Sequence, residues 1–329
     1  MSINPTRRAA LAAPLLLGAA ACSQEIGARP LRGADSHPAG YPPVVAVEHF
    51  GDLLAQRTNN RLRLRNYPGG QLGREEDTLE ITIFGGLDVN RVNLAPLNPI
   101  APNTVIPALP FLFNSTEHMR RALDGAPGRH ILAGLRDQGL VGLCFYDSGA
   151  RSFYNTRRQI RTPADLRGLK IRVQPSNLYV AMMQALGANP TPISFGEVYQ
   201  ALIQGVVDGA ENNLPSYDDT RHFEVARNIS LTGHVMAPEV FLMSLRTWER
   251  LSRSDQEIVM ESARESVPVM RELWDAREVA ARERLLAAGV TMIEDIDREP
   301  FQVLMRPVWE RFVTTPEQQQ LVRDIQAMG

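Results

Sequence analysis

The run Lys170–Val173, which reads KIRV, places charged side chains between apolar ones. Such alternation is typical of a strand with one polar face. Lys170 is the only lysine in the chain, and Arg172 lies two residues after it, on the same side of the expected strand. This polar face either meets bulk water or lines a site that requires a cation.

Two further polar residues lie beside strand-like runs. Arg151 lies in the segment DSGARSFYN, which follows a buried strand and which we interpret as irregular. Asn212 lies in DGAENN, which follows the apolar pair Val206-Val207. Sheets of α/β proteins place ligands at strand ends. Arginine binds a carboxylate through two parallel hydrogen bonds, and asparagine both donates and accepts. These residues therefore predict a carboxylate site, although Arg172 could instead be a solvated arginine at a sheet edge.

Local signatures of catalysis are missing from the sequence. It contains no Gly-x-Ser-x-Gly turn, no phosphate-binding Gly-x-x-x-x-Gly-Lys loop and no His-Glu-x-x-His helix. The six histidines show no spacing typical of metal ligands. We therefore predict a binding protein and assign no catalytic residue, no metal site and no cofactor.

The composition limits the class of partner. The chain has 329 residues, a formal net charge of -2 and 6% aromatic residues. This length suits one large or two medium domains. Nucleic-acid binding needs a clearly basic face, so the near-neutral balance argues against it. We expect a small-molecule or protein partner, and a monomer.

Residues 1–21 are typical of an export signal. Arg7 and Arg8 precede an apolar run, Ala9–Ala21, that is too short to span a bilayer. The expected location is the periplasm, reached by the Sec or the twin-arginine route. Lipid attachment at Cys22 is possible but is not favoured, because the residue three before it is alanine. Cys144 lies in an apolar run and is expected to be a buried small hydrophobe.

The order of elements predicts an α/β fold. After a Gly/Pro-rich leading segment (residues 28–43), strands alternate with helices, the first of which should bury Val45, Phe50, Leu53 and Leu54. From Ser254 to Gly289 one long helical pattern begins with a Ser254–Glu257 capping box. A helix of that length is roughly 50 Å long, so we expect it to link two lobes and to bend at its internal proline, Pro268.

Three segments carry a resemblance to a known family. The segments PADLRGLKIRV, ALGANPTPISFGEVYQALIQGVVDGAENN and YPGGQLGREED resemble the extracytoplasmic solute-binding subunits of tripartite ATP-independent periplasmic (TRAP) transporters, the DctP-like family. The similarity extends from about Ala34 to Trp309. It implies a fold like type II periplasmic binding proteins, with two α/β lobes joined by hinge strands and a long bridging helix. The expected lobe I is 30–148 plus about 238–275, and lobe II is 149–237 plus about 276–329.

The resemblance also implies which residues face the ligand. The family's signature arginine, which pairs with the substrate carboxylate, corresponds to Arg172. The other implied ligand-binding positions are Arg151, Asn212, Phe195, Asn93, Glu75 and His37. His37 lies where the leading loop should reach the cleft, but a surface position is the alternative. Lys170 is interpreted as structural.

The segment from Glu211 to Ser244 resembles the family branch that binds sugar acids such as glucuronate and galacturonate. Members of that branch tend to carry tryptophan where Leu214 stands and tyrosine where Phe195 stands, so the exact sugar stays open. The resemblance implies capture of a sugar-acid carboxylate and its delivery to a membrane permease. The alternatives are a C4-dicarboxylate or α-keto acid as ligand, a receptor in place of the permease, or an enzyme acting on sugar acids.

Overall fold

The computed structural model describes residues 29–329. The expected export signal and Cys22 lie outside the described residues. Within them, no helix combines the length and the apolar character needed to cross a membrane.

Eleven strands in the described residues form two sheets. The strands are β1 (Leu31–Ala34), β2 (Leu64–Tyr67), β3 (Val89–Asn93), β4 (Leu140–Tyr146), β5 (Arg151–Asn155), β6 (Lys170–Val173), β7 (Asn189–Pro192), β8 (Gly209–Asn212), β9 (Asn228–Val235), β10 (Glu239–Ser244) and β11 (Thr291–Ile293). The first sheet has the order β2-β1-β3-β10-β4, and the second has the order β11-β9-β5-β8-β6-β7. In the first sheet, β1 is parallel to β2 and β3, and β10 is antiparallel to β3 and β4.

Helices pack around both sheets, so the predicted α/β class is confirmed. They are α1 (Pro42–Arg57), α2 (Glu75–Ile83), α3 (Thr116–Asp124), α4 (Ala126–Gly134), α5 (Asn177–Ala185), α6 (Val198–Ile203), α7 (Leu214–Asp219), α8 (Leu245–Trp248), α9 (Arg253–Ala287), α10 (Glu299–Phe312) and α11 (Pro316–Gln326). Short 3-10 helices span Pro102–Ala108, Leu135–Gln138, Pro163–Leu166, Phe195–Glu197 and His222–Glu224.

The chain crosses three times between the two sheets. Strands β1 to β4 lie in the first sheet and β5 to β9 in the second, after which β10 returns to the first and β11 to the second. The long helix α9 contacts α1 and β4 beside the first sheet and α7 beside the second. It therefore connects both halves of the described chain, as its length predicted.

Helix α1 buries a slightly different face from the predicted one. Phe50 and Leu54 are fully buried, but Val45 and Leu53 are only partly buried. Val47 takes the place expected of Val45. Residues 47, 50 and 54 are separated by three and four positions, which places them on one side of a helix.

Helix α9 begins earlier than predicted. Its N-cap is Ser252, whose side chain accepts a hydrogen bond from the backbone N–H of Asp255. The predicted Ser254–Glu257 capping box is therefore wrong, because Ser254 already lies inside the helix. Pro268 lies within its 35 residues.

Two other segments differ from the sequence predictions, and the contacts of a third bear on the expected division into lobes. The Gly/Pro-rich leading segment contains β1, which is held by parallel pairing on both sides. Arg151 opens β5 and does not lie in an irregular segment, because β5 pairs with β8 and β9. Helix α11 contacts α4 and the 3-10 helix Pro102–Ala108. The expected division of the chain assigns α11 to lobe II but assigns both of these contact partners to lobe I.

A glycine in the first crossing between the sheets supplies the first testable prediction. Gly149 has a φ of +59°, and a Cβ there would lie 2.9 Å from Cζ2 of the buried Trp274. We expect Gly149→Ala to lower the free energy of unfolding by about 2–4 kcal/mol, since it adds a clash to left-handed backbone strain. Chemical denaturation measures this change.

The matched control for this substitution is Gly168→Ala. Gly168 has a φ of +76° with no atom within 4 Å of the added Cβ, so it isolates the backbone strain. We expect a cost of about 1–2 kcal/mol there. Equal costs for the two substitutions would show that the contact with Trp274 does not constrain the crossing.

Candidate functional site

A cleft of about 300 Å³ lies where strands of both sheets end. All seven residues predicted to face a ligand line it, namely His37, Glu75, Asn93, Arg151, Arg172, Phe195 and Asn212. Asn93 ends β3 and Asn212 ends β8, whereas Glu75 is the first residue of α2. The sequence therefore identified a set of residues that the fold brings together.

Arg172 is a buried cation that has no counter-ion among the residues the structure describes. It lies on β6, between β7 and β8, and is 2% exposed. Its Nε donates to the carbonyl oxygen of Ile193 at 2.7 Å, and within residues 29–329 its guanidinium forms no ion pair. Burial lowers its pKa below the usual value for arginine. The alternative of a solvated edge arginine is therefore wrong.

Arg151, by contrast, has a carboxylate partner within the protein. Its Nε and one amino group donate to the carboxylate of Glu211 at 2.6 and 2.8 Å, and the other amino group donates to Oδ1 of Asn212 at 2.9 Å. Burial alone would raise the pKa of Glu211, but the charge of Arg151 and contact with His234 lower it to about 2. Arg151 and Glu211 thus form a neutral buried pair beside the cleft.

Arg91 is the centre of a second buried charge cluster. Its guanidinium faces three carboxyl groups, with Nε 2.8 Å from Asp35, and Nη1 3.0 Å from Glu75 and 3.4 Å from Glu239. Burial raises the pKa of both Asp35 and Glu239, and the charge of Arg91 opposes that rise. Acidic groups therefore outnumber the single arginine in this cluster.

Glu75 and Asn93 form the face of that cluster toward the cleft. Oε1 of Glu75 accepts from Ser36, Arg91 and Asn93 at 2.9–3.0 Å. Oε2 accepts from Asn93 alone among the described residues, at 3.1 Å. Gln174 on the other side of the cleft approaches Oδ1 of Asn93 at 3.4 Å.

His37 and Phe195 meet across the cleft. The rings are edge to face, with centroids 4.8 Å apart, and His37 also stacks on Tyr41 at 4.0 Å. Burial lowers the pKa of His37 to about 3, so the ring is neutral near pH 7. The alternative of a surface position for His37 is wrong, since the residue is 4% exposed.

The buried ionic partners around the cleft were not predicted from the sequence. Arg91, Glu211 and Glu239 lie in strands, and Asp35 directly follows β1. The available signal was a charge within a strand-like run, Arg91 in VNRVN and Glu239 in APEVFLM, because burying a charge is costly unless it is paired.

The arrangement favours an anion. Arg91 and Arg151 already have carboxylate partners, so Arg172 contributes the positive charge that the described residues of the cleft leave unbalanced. No group of three or more histidine, cysteine, aspartate or glutamate side chains suited to a metal ion occurs in residues 29–329. Hydrogen-bonding groups are available on both sides of the cleft.

A family and a curated relative each match most of the chain. The family described as "Bacterial extracellular solute-binding protein, family 7" matches residues 33–315. A "Solute-binding protein" of Chromohalobacter salexigens is 40% identical over 296 residues, covering 90% of this chain and 88% of the relative.

Solved structures of similar sequence also match this chain over most of its length. A TRAP periplasmic solute binding protein from Xanthobacter autotrophicus with bound β-D-galacturonate is 48% identical, with a TM-score of 0.89 and coverage of 90% of this chain and 99% of that one. One from Roseobacter denitrificans with bound β-D-glucuronate is 44% identical, with a TM-score of 0.89 and coverage of 91% and 99%. The chain belongs to bacterial extracellular solute-binding protein family 7 and is the solute-binding subunit of a TRAP transporter.

Proposed function

We propose that the cleft binds the carboxylate of a hexuronic acid such as galacturonate or glucuronate. The observation that carries the proposal is the buried Arg172 guanidinium, which lacks a counter-ion in the described chain. A planar guanidinium and a carboxylate form two parallel, charge-assisted hydrogen bonds. The ligand would thereby supply the charge that the protein omits.

Polar groups around the cleft suit the hydroxyls of such a ligand. Asn212 uses its Oδ1 to accept from Arg151 and from the backbone of Asn213, which leaves its Nδ2 to donate to the ligand. Glu75 offers a carboxylate oxygen that can accept from a hydroxyl. A polyhydroxy monocarboxylate therefore fits this set better than a C4-dicarboxylate or an α-keto acid.

The solved relatives support the same class of ligand. The Xanthobacter protein was crystallised with galacturonate and the Roseobacter protein with glucuronate. Leu214 and Phe195 are the positions where this sequence departs from the sugar-acid branch. Phe195 lines the cleft, whereas Leu214 packs in the core beside Tyr217, so we expect Phe195 to have the larger effect on which of the two epimers binds more tightly.

Closure of two lobes is the proposed mechanism of capture. Lobe I comprises 30–148 plus about 238–275, and lobe II comprises 149–237 plus about 276–329, with α11 lying against lobe I. Contacts such as His37 with Phe195 would form as the lobes close. The closed protein then delivers its ligand to the membrane permease of the transporter, and no covalent chemistry takes place. We infer a periplasmic monomer exported through its N-terminal signal.

The role of Arg172 is tested by substitution and isothermal titration calorimetry with D-galacturonate. Arg172→Ala should weaken binding by about 2–5 kcal/mol, because a desolvated carboxylate loses its partner. Arg172→Lys should restore only part of the affinity, because an ammonium group lacks the planar fork. The control is Lys170→Ala, an exposed position on the same strand, which should bind as the unmodified protein does. Wild-type affinity in Arg172→Ala would refute the site.

The class of ligand is tested by thermal shift across a library of organic acids. Hexuronates at 100 times their Kd should add about 2.7 kcal/mol of stability, whereas succinate and pyruvate should add none. Galacturonate recovered after prolonged incubation should be chemically unchanged. Stabilisation by dicarboxylates alone would contradict the proposed ligand, and a reaction product would favour the enzyme alternative.

A further inference from the structure

The cations that line the cleft are already neutralised, with one exception. Arg151 pairs with Glu211, and Arg74 at the rim pairs with Asp77 at 3.1 Å. Behind the lobe I side, Arg91 is outnumbered by its three carboxyl partners. Within the described residues, a ligand therefore meets one unbalanced guanidinium, that of Arg172.

Glu75 is held so that one of its oxygens is available to a ligand. The three donors Ser36, Arg91 and Asn93 converge on Oε1, whereas Oε2 accepts only from Asn93 among the described residues. The Glu75 side chain is 13% exposed and lines the cleft. Its Oε2 can therefore accept from a hydroxyl, but it repels a second carboxylate.

We propose that Glu75 makes the cleft selective for acids with a single carboxylate. This inference rests on the proposed function. A hexuronate with its carboxylate on Arg172 would present its hydroxyl-bearing end to Glu75. The corresponding aldaric acid, which has a carboxylate at both ends, would place its second charge against Glu75 without a cation to receive it. Like charges brought together at a desolvated contact cost several kcal/mol.

The selectivity requires that Arg91 stays bound to the carboxylates of Asp35 and Glu75 when a ligand enters the cleft. Arg91 cannot turn to receive a second ligand carboxylate, because its Nε, Nη1 and Nη2 all donate to Asp35, Ser36 or Glu75. It is buried at 1% exposure and does not line the cleft. These hydrogen bonds hold Arg91 and Glu75 together on the acidic side of the cleft, so no cation there is available to a second ligand carboxylate.

The test is calorimetric titration of the exported chain with D-galacturonate and with galactarate, its C1-oxidised dicarboxylate. The unmodified protein should bind galactarate at least 100-fold more weakly than galacturonate. In Glu75→Gln, which keeps the shape but removes the charge, this ratio should fall at least tenfold. The control is Glu80→Gln, an exposed residue on the same helix that changes the net charge equally and should leave the ratio unchanged.

Each outcome separates this inference from the proposed function. Failure of the unmodified protein to bind any hexuronate would refute the proposed function itself. Equal affinity for galacturonate and galactarate would leave the proposed function intact but overturn the selectivity. An unchanged ratio in Glu75→Gln, with galacturonate still bound and the thermal unfolding transition intact, would show that Glu75 is not its source.

Discussion

The site depends on a buried guanidinium, that of Arg172, for which the described part of the chain supplies no counter-ion. Burying a charge is costly unless a partner compensates it, and the fold provides such partners for Arg91 and Arg151. For Arg172, residues 29–329 provide only the carbonyl oxygen of Ile193. The ligand carboxylate would therefore act as the counter-ion of Arg172. Both the affinity for the ligand and the preference for an anion follow from this one unpaired charge.

The two sheets bring together strand ends that are distant in the sequence. Arg172, Arg151 and Asn212 lie on neighbouring strands of the second sheet, and Asn93 ends a strand of the first. The chain passes between the sheets more than once, so each half is held by segments from both ends of the sequence. Aromatic contact between His37 and Phe195 joins the two sides at the cleft.

Much of the site could be predicted from sequence, because alternation in KIRV and the order of motifs are local signals. The ionic partners could not. Arg91 and Asp35 are 56 residues apart, and Arg151 and Glu211 are 60 apart, so no local pattern links them. Fold errors have the same origin: β1 is a strand because of pairing with β2 and β3, whereas its Gly/Pro-rich surroundings predict a loop. Helix α9 is capped by Ser252, whereas the sequence favoured the nearby Ser254. The sequence pattern alone does not distinguish these two serines.

A crystal structure of the protein grown with D-galacturonate would test the role of Arg172 directly. We expect electron density for the sugar in the cleft, with both carboxylate oxygens within hydrogen-bonding distance of the Arg172 guanidinium and a hydroxyl on Oε2 of Glu75. A carboxylate bound elsewhere, with Arg172 still lacking an anionic partner, would contradict that role.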